Sequence, residues 1–385
     1  MSAQTSALTP DQLAIGEATR EFAREHLAPH AIEWDQTKHF PVDVLGKAAE
    51  MGLGGVYVRE EHGGSGLSRM DAVVVYEALA TGDPSIAGYV SIHNMVAWMI
   101  DRYGDEVQRS RYLPGLCSMR ELGSYCLTEP GAGSDAAALS TRAVRDGDDY
   151  VLDGVKQFIS GAGSTHVYIV MARTGGSGPD GISTFVVERD DSGLSFGPNE
   201  KKMGWNAQPT RQVVLEGVRI PASRRLGAEG EGFRMAMSGL NGGRLGIAAC
   251  SLGGAQDALD RTIAYLGERQ AFGAKLLRSQ ALQFQLADMA TELEAARSLV
   301  WRAAAALDAG EPQAAQLCAM AKRFATDIGF AVADRALQLH GGYGYLAEYG
   351  IEKIVRDLRV HRILEGTNEI MRVIIARGLT AGAAA

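Results

Sequence analysis

The sequence predicts an α+β chain built of three units, a helical first third, a β-rich middle and a helical last third. Three observations carry this. At 385 residues the chain exceeds what one hydrophobic core supports, so it folds as two or three units. Its texture changes twice, near Gly123 and near Gly227. No repeat of fixed period and no alternating βαβ pattern runs through it.

From Pro10 to about Arg120 helical segments are broken by Gly-rich loops, the clearest being GLGGVYVREEHGGSGLS at 52–68. From Gly123 to about Pro221, β-forming runs such as THVYIVMAR and ISTFVVER alternate with Asp-Gly and Gly-Pro turn signals. After about Gly227 the chain turns Ala-, Leu- and Met-rich. Leu282, Leu286, Met289, Leu293, Ala296 and Val300 recur at spacings of four and three, one face of an amphipathic helix in a bundle. The expected units are 1–121, 122–226 and 227–385, and the tail AGAAA is expected to fray.

Composition narrows the functional classes. Hydrophobic residues are 46% and charged residues 22%, the balance of an ordinary folded domain. A net charge of -8 leaves no basic face to replace the counterions of a nucleic acid. Cys117, Cys126, Cys250 and Cys318 lie far apart with no CxxC pair, which argues against a disulfide framework and a zinc site and fits a reducing compartment. The first 30 residues lack the apolar core of a signal peptide and carry acidic residues that transit peptides avoid. No apolar run of about 18 residues suits a membrane span, so the expected location is cytoplasmic. The missing GxGxxG after a strand makes a nicotinamide-binding domain a poor fit.

Several runs carry chemistry. Tyr125-Cys126-Leu127-Thr128-Glu129-Pro130-Gly131-Ala132-Gly133-Ser134-Asp135 passes from a strand into a glycine loop. Bare backbone there can approach an anion or a ring, and Thr128 and Ser134 offer hydroxyls, although Pro-Gly clusters are also ordinary turns. Lys156-Gln157-Phe158-Ile159-Ser160-Gly161 reads equally as a strand with a buried Phe. Arg269-Gln-Ala-Phe272-Gly273, followed by Ser279-Gln280, puts a guanidinium where it could hold a diphosphate or sit at a helix end. Gln338-Leu339-His340-Gly341-Gly342 holds paired glycines and a His that, with no nucleophile motif nearby, is expected to be packed and hydrogen-bonded. In His361-Arg-Ile-Leu-Glu365-Gly366-Thr367-Asn368-Glu369, a loop carboxylate precedes a Gly and a helix start at Thr367. Taken alone, Glu365 is as well explained by solvation beside a helix N-terminus.

Taken together and in this order, the runs resemble the acyl-CoA dehydrogenase family over essentially the whole chain. The resemblance implies an N-terminal helical domain, a middle antiparallel β-barrel-like domain and a C-terminal four-helix bundle. It also implies FAD as cofactor, held by Tyr125, Cys126, Leu127, Thr128, Gly133, Ser134, Phe158, Ile159, Ser160, Arg269, Phe272, Ser279, Gln280, Gln338, Leu339, His340, Gly341, Gly342, Thr367, Asn368 and Glu369. The acyl-CoA is expected to touch Ser134, Asn241, Gly242, Gly243, Arg244, Gly366 and Arg377, and no metal is implied. Glu365 takes the role of base that removes the α-proton while the β-hydride passes to flavin N5, and burial under the acyl chain is expected to raise its pKa. Some family members place the base on a helix just before the Arg of a segment equivalent to Leu240–Arg244. Here that position is Gly243, which accepts no proton.

The runs 201–211, 239–244 and 338–345 are most similar to family members that oxidise isobutyryl-CoA, which implies a short, branched substrate of valine breakdown. Straight-chain C4 and 2-methylbutyryl substrates stay open, because one methylene changes binding by only about 1–3 kcal/mol. Family likeness further implies a homotetramer and electron-transferring flavoprotein as electron acceptor. The competing reading is a helical oligomer that keeps the fold as a binding or scaffold protein.

Overall fold

The computed structural model describes residues 8–380. The AGAAA tail lies outside the described residues. The helical first third comprises α1 (Pro10–Phe22), α2 (Ala31–Thr37), α3 (Val42–Glu50), α4 (Arg69–Ala80), α5 (Pro84–Tyr103) and α6 (Glu106–Cys117). Their starts are written locally. Thr9 with Gln12, Ser68 with Asp71 and Asp105 with Gln108 form capping boxes, and the Asp83 carboxylate accepts from the Ser85 and Ile86 amides at the start of α5. α5 is buried over almost its whole length.

The middle third holds β1 (Gly123–Cys126), β2 (Arg142–Asp146), β3 (Asp149–Ser160), β4 (Val167–Arg173), β5 (Ile182–Glu188), β6 (Leu194–Phe196), β7 (Thr210–Pro221) and β8 (Arg225–Leu226). The sheet runs β6-β7-β3-β2-β4-β5-β8 with mainly antiparallel ladders, and β1 adds parallel to β4. β4 and β5 are buried over six consecutive residues each because both faces of the sheet are covered there. Val167, Ile169 and Met171 pack toward α5, α6 and the following helix, while Tyr168, Val170 and Ala172 fill the opposite side.

The last third holds α7 (Gly232–Glu268), a short hairpin of β9 (Gln270–Ala271) and β10 (Ala274–Lys275), α8 (Gln280–Asp308), α9 (Ala314–His340), α10 (Ile351–His361) and α11 (Asn368–Thr380). On α8 the apolar stripe packs as its spacing implies. Met289, Leu293, Ala296 and Val300 are buried, and Leu282 and Leu286 are half-covered near the helix start. α7 packs on α4, α5, α8 and α9, so the first and last thirds share one core.

A chain of donors joins the β-domain loop 197–209 to this helical body. Trp205 Nε1 donates to His361 Nε2 at 3.0 Å, and an indole can only donate. His361 therefore carries its proton on Nδ1 and donates to Ser251 Oγ at 2.7 Å, and that hydroxyl donates to the Ile247 carbonyl at 2.9 Å. Burial, with Lys322 nearby, holds the His361 pKa down at about 3, so the ring stays neutral. All four cysteines are buried free thiols. Among the described residues no helix is long and apolar enough to cross a membrane, and no group of three or more His, Cys, Asp or Glu could hold a metal ion.

Candidate active site

Glu365 lies in the short loop between α10 and α11 and has φ 56°, followed by Gly366 at 90°. An αL conformation is costly for a residue with a Cβ, so something must hold it. Lys322 on α9 supplies that hold. It is fully buried and donates to the Gly366 carbonyl at 2.7 Å and to Asn368 Oδ1 at 3.0 Å. Asn368 in turn donates to Thr326 Oγ1 and Asp327 Oδ1. Thr367 caps α11 by accepting from the Ile370 amide, at the helix start expected from sequence.

The loop turns the Glu365 carboxylate inward. The residue as a whole is half-buried, but its Oε2 is enclosed and has no hydrogen-bond partner. Burial pushes the carboxyl up to about 7, against the opposing pull of Arg244 and Lys322. Arg244, 4% exposed, reaches the Glu365 carbonyl through Nε at 3.4 Å and donates from Nη1 to Asn241 Oδ1 at 2.7 Å. Burial likewise lowers Lys322, to about 7. A Cβ on Gly243 would lie 2.4 Å from Glu365 Oε2. The two chain positions considered for the base thus converge on one point in space, and the bare glycine leaves it to Glu365.

The two loops expected to meet FAD are stitched together. The Gln157 amide donates to the Thr128 carbonyl at 2.8 Å, and Lys156 Nζ donates to Glu129 Oε1 at 2.8 Å and to the Leu127 carbonyl at 3.3 Å. Glu129 also accepts from Ser140 and from the Thr141 amide. Burial works to raise its pKa, but Lys156 and these donors outweigh burial and hold it at about 2. Next to this clamp the β3–β7 register slips between Lys156 and Ile159, and Phe158, at φ 59°, is thrown out of the sheet to 64% exposure. Phe158 is therefore not the buried strand residue that its sequence alone allowed. The geometry fits a flavin ring, with an exposed aromatic on one loop and, on the loop stitched to it, Gly131 and Gly133, where a Cβ would meet nothing within 4 Å. Cys126, Leu127 and Ile159 have buried side chains, so only their backbone faces a ligand, while Ser134 is exposed, Thr128 and Ser160 are half-buried, and Tyr125 donates to the Ala236 carbonyl.

A further set of candidates lies mostly at the exposed surface, around the β9–β10 hairpin and the end of α9. Arg269, Phe272, Ser279 and Gln280 are exposed around the β9–β10 hairpin, with Arg269 stacked over Tyr343 at 5.3 Å. Gln338, Gly341 and Gly342 are exposed at the end of α9. His340 is buried, bonds the Ala336 carbonyl through Nδ1 and stacks on Tyr265, the packed His that was expected. Leu339 is half-buried and Glu369 exposed. Asn368 commits its side chain inward, and its backbone is engaged as well, the N–H donating to the Arg362 carbonyl at 3.0 Å and the carbonyl accepting from Arg372 Nη1 at 3.1 Å. Arg377 is exposed near the end of α11.

Sequence reading missed Lys322. Its one signal is a lone charge in an otherwise apolar stripe with Cys318, Ala321 and Ala325.

Three family models match the chain: the N-terminal domain of acyl-CoA dehydrogenase at residues 9–120, the middle domain at 124–218 and the C-terminal domain at 230–380. A mitochondrial isobutyryl-CoA dehydrogenase of Bos taurus is 54% identical over 372 residues, covering 97% of this chain and 89% of its own length. Butyryl-CoA dehydrogenase from Megasphaera elsdenii superimposes with a TM-score of 0.94 at 36% identity, covering 97% of this chain and 98% of that one. A chain from a structure of the electron-transferring flavoprotein of Acidaminococcus fermentans gives 0.95 at 39% identity, covering 98% and 99%.

Proposed function

The chain belongs to the acyl-CoA dehydrogenase family of FAD-dependent oxidoreductases, and from that premise we propose that it desaturates a short, branched acyl-CoA, isobutyryl-CoA first, with Glu365 as the base. One observation carries the reading: an enclosed carboxylate with a free Oε2 and a pKa of about 7. A base for a weak carbon acid works best when its pKa lies near the working pH, because it is then both ionised and proton-hungry.

The chain's own residues do the following. Glu365 takes the α-proton on its carboxylate. Its backbone N–H polarises the thioester carbonyl, and that donor is worth most where water is excluded. Arg244 and Lys322 offset part of the burial penalty, so the carboxylate still ionises near neutrality. Asn241 to Arg244, Gly366 and Ser134 bind the acyl-CoA, and Arg377 reaches its far end. FAD, held along Tyr125–Ser134 and Phe158–Ser160 with the segments at 269–280, 338–342 and 367–369, supplies the acceptor for the β-hydride when bound.

Isobutyryl-CoA is favoured by the 54% identity to the bovine relative named for it, which would give the chain a step in valine breakdown. Electron-transferring flavoprotein as acceptor is supported by the likeness to the Acidaminococcus structure. Exposed Phe272, Phe284, Tyr345 and Leu346 support a homotetramer that covers them.

The test is anaerobic bleaching of the flavin by a panel of C4–C8 linear and branched acyl-CoAs, with Glu365→Gln alongside. Isobutyryl-CoA should bleach fastest, and the variant should keep its yellow FAD while losing about 10²–10⁴-fold in rate. Bleaching by longer chains but not by isobutyryl-CoA would sink the substrate, and a near wild-type rate in the variant would sink the base.

A further inference from the structure

Arg69 opens α4, and its place is fixed at the backbone. Its amide and that of Met70 donate to the two oxygens of Asp308 at 2.8 and 3.0 Å, so that carboxylate is spent on the helix start. The side chain runs the other way. Its guanidinium carbon lies 3.7 Å from the centre of the Tyr57 ring and 4.7 Å from that of Trp98, held by two aromatic faces. Among the described residues no carboxylate pairs with it, although half-buried cations ordinarily find one.

What it meets is α7. A Cβ on Gly242 would lie 2.4 Å from Arg69 Nη1, just as a Cβ on the next residue, Gly243, would lie 2.4 Å from Glu365 Oε2. Guanidinium and carboxylate thus rest against consecutive bare positions of one helix. Both Tyr125 and Tyr57 are close enough to Glu365 to feel its charge: burial pushes their phenols up and Glu365 adds to it at each, while Arg69 pulls against it at Tyr57. Tyr125 belongs to the flavin loop, and along α7 the position next to the one Glu365 rests on is the one Arg69 rests on.

We propose that Arg69 ends the acyl site and sets the length of chain it accepts, an inference that rests on the acyl-CoA reading of the Glu365 site. Chain geometry puts the guanidinium within about 12 Å of the Glu365 carboxylate, since adjacent Cα atoms are about 3.8 Å apart. Contact with the α-carbon takes about 3 Å of this and contact with the guanidinium about 3.5 Å. What is left holds roughly four more carbons in extended form. Acyl groups beyond about six carbons must push a cation off two aromatic faces, and a four-carbon branched chain is the least affected.

The experiment compares the holoenzyme with Arg69→Ala and Arg69→Met, by kcat/KM for isobutyryl-, hexanoyl-, octanoyl- and glutaryl-CoA, with FAD content read from the visible spectrum. The octanoyl to isobutyryl ratio should rise at least about tenfold in the alanine variant, the scale on which pockets discriminate methylenes. It should rise less in the methionine variant, which refills the space without the charge and stands in if the alanine variant fails to load FAD. A ratio unchanged in an FAD-loaded variant overturns the proposal. So does a wild-type enzyme that prefers glutaryl-CoA and loses that preference in both variants, because Arg69 would then be a carboxylate receptor. Failure of wild-type enzyme to act on isobutyryl-CoA strikes the substrate reading instead, and the length limit is still read from the linear series.

Discussion

Gly243→Ala should raise or preserve the stability of the protein while sharply lowering its activity. The methyl carbon would lie 2.4 Å from Glu365 Oε2 and 2.9 Å from its carboxyl carbon, against an ordinary carbon contact of about 3.5 Å. The carboxylate must therefore retreat by about 1 Å. It can, because it is the free end of a side chain whose backbone stays pinned by Lys322 at Gly366. Alanine is favoured over glycine inside a helix by about 1 kcal/mol, and Gly243 lies within α7. A misplacement of this size can cost about 10²-fold in rate. The assay is kcat/KM with isobutyryl-CoA beside the thermal midpoint and the FAD spectrum. A rate within about threefold of wild type would show that Gly243 does not keep room for the Glu365 carboxylate, and so would a loss of rate that merely tracks a loss of stability.

Further tests follow from the same site. The Glu365 carboxyl is raised from 4.5 to about 7, so it favours folding at acid pH and loses that contribution as pH climbs through about 7. Above that point it costs about 3 kcal/mol, which Glu365→Gln removes. The variant's midpoint should exceed wild type at pH 8 and draw level toward pH 4.5, and an advantage equal at both pH values contradicts the assignment. The acid limb of wild-type kcat/KM should have its midpoint near 7, with activity lost below it. Lys322→Met should move that midpoint upward, since a cation that lowers the Glu365 pKa is gone, and an unmoved limb would leave Lys322 a structural residue only. Glu129→Gln strips the counter-charge from buried Lys156 and should cost about 3–5 kcal/mol. It should also weaken FAD retention, read by flavin released on gel filtration.

Much of this was legible in the sequence because it is written locally. The α8 stripe from Met289 to Val300, the cap at Thr367 and the bond from His340 to the Ala336 carbonyl all depend on neighbours within a few residues. What could not be read depends on contacts made across the chain. The outward throw of Phe158 comes from a one-residue slip against β7, more than 50 positions away. Lys322 and Arg69 look like ordinary helix charges until α9 and α4 bring them to Glu365 and Gly242. The inward turn of Asn368 follows from Lys322, Thr326 and Asp327 on another helix. Gly243 shows both sides: its lack of a proton acceptor is plain from sequence, but that Glu365 fills the same space needs the fold.

The donor chain through Trp205, His361 and Ser251 bears on how the molecule comes apart. Each member has one orientation open to it, and a proton added to His361 leaves two donors facing each other at Trp205. The β domain cannot peel away without carrying the Trp205 indole off and leaving His361 Nε2 unpaired inside the helical body, at a cost of about 1–3 kcal/mol. Partial opening is thereby disfavoured, and calorimetry should record one concerted melting event rather than a stepwise loss of three parts.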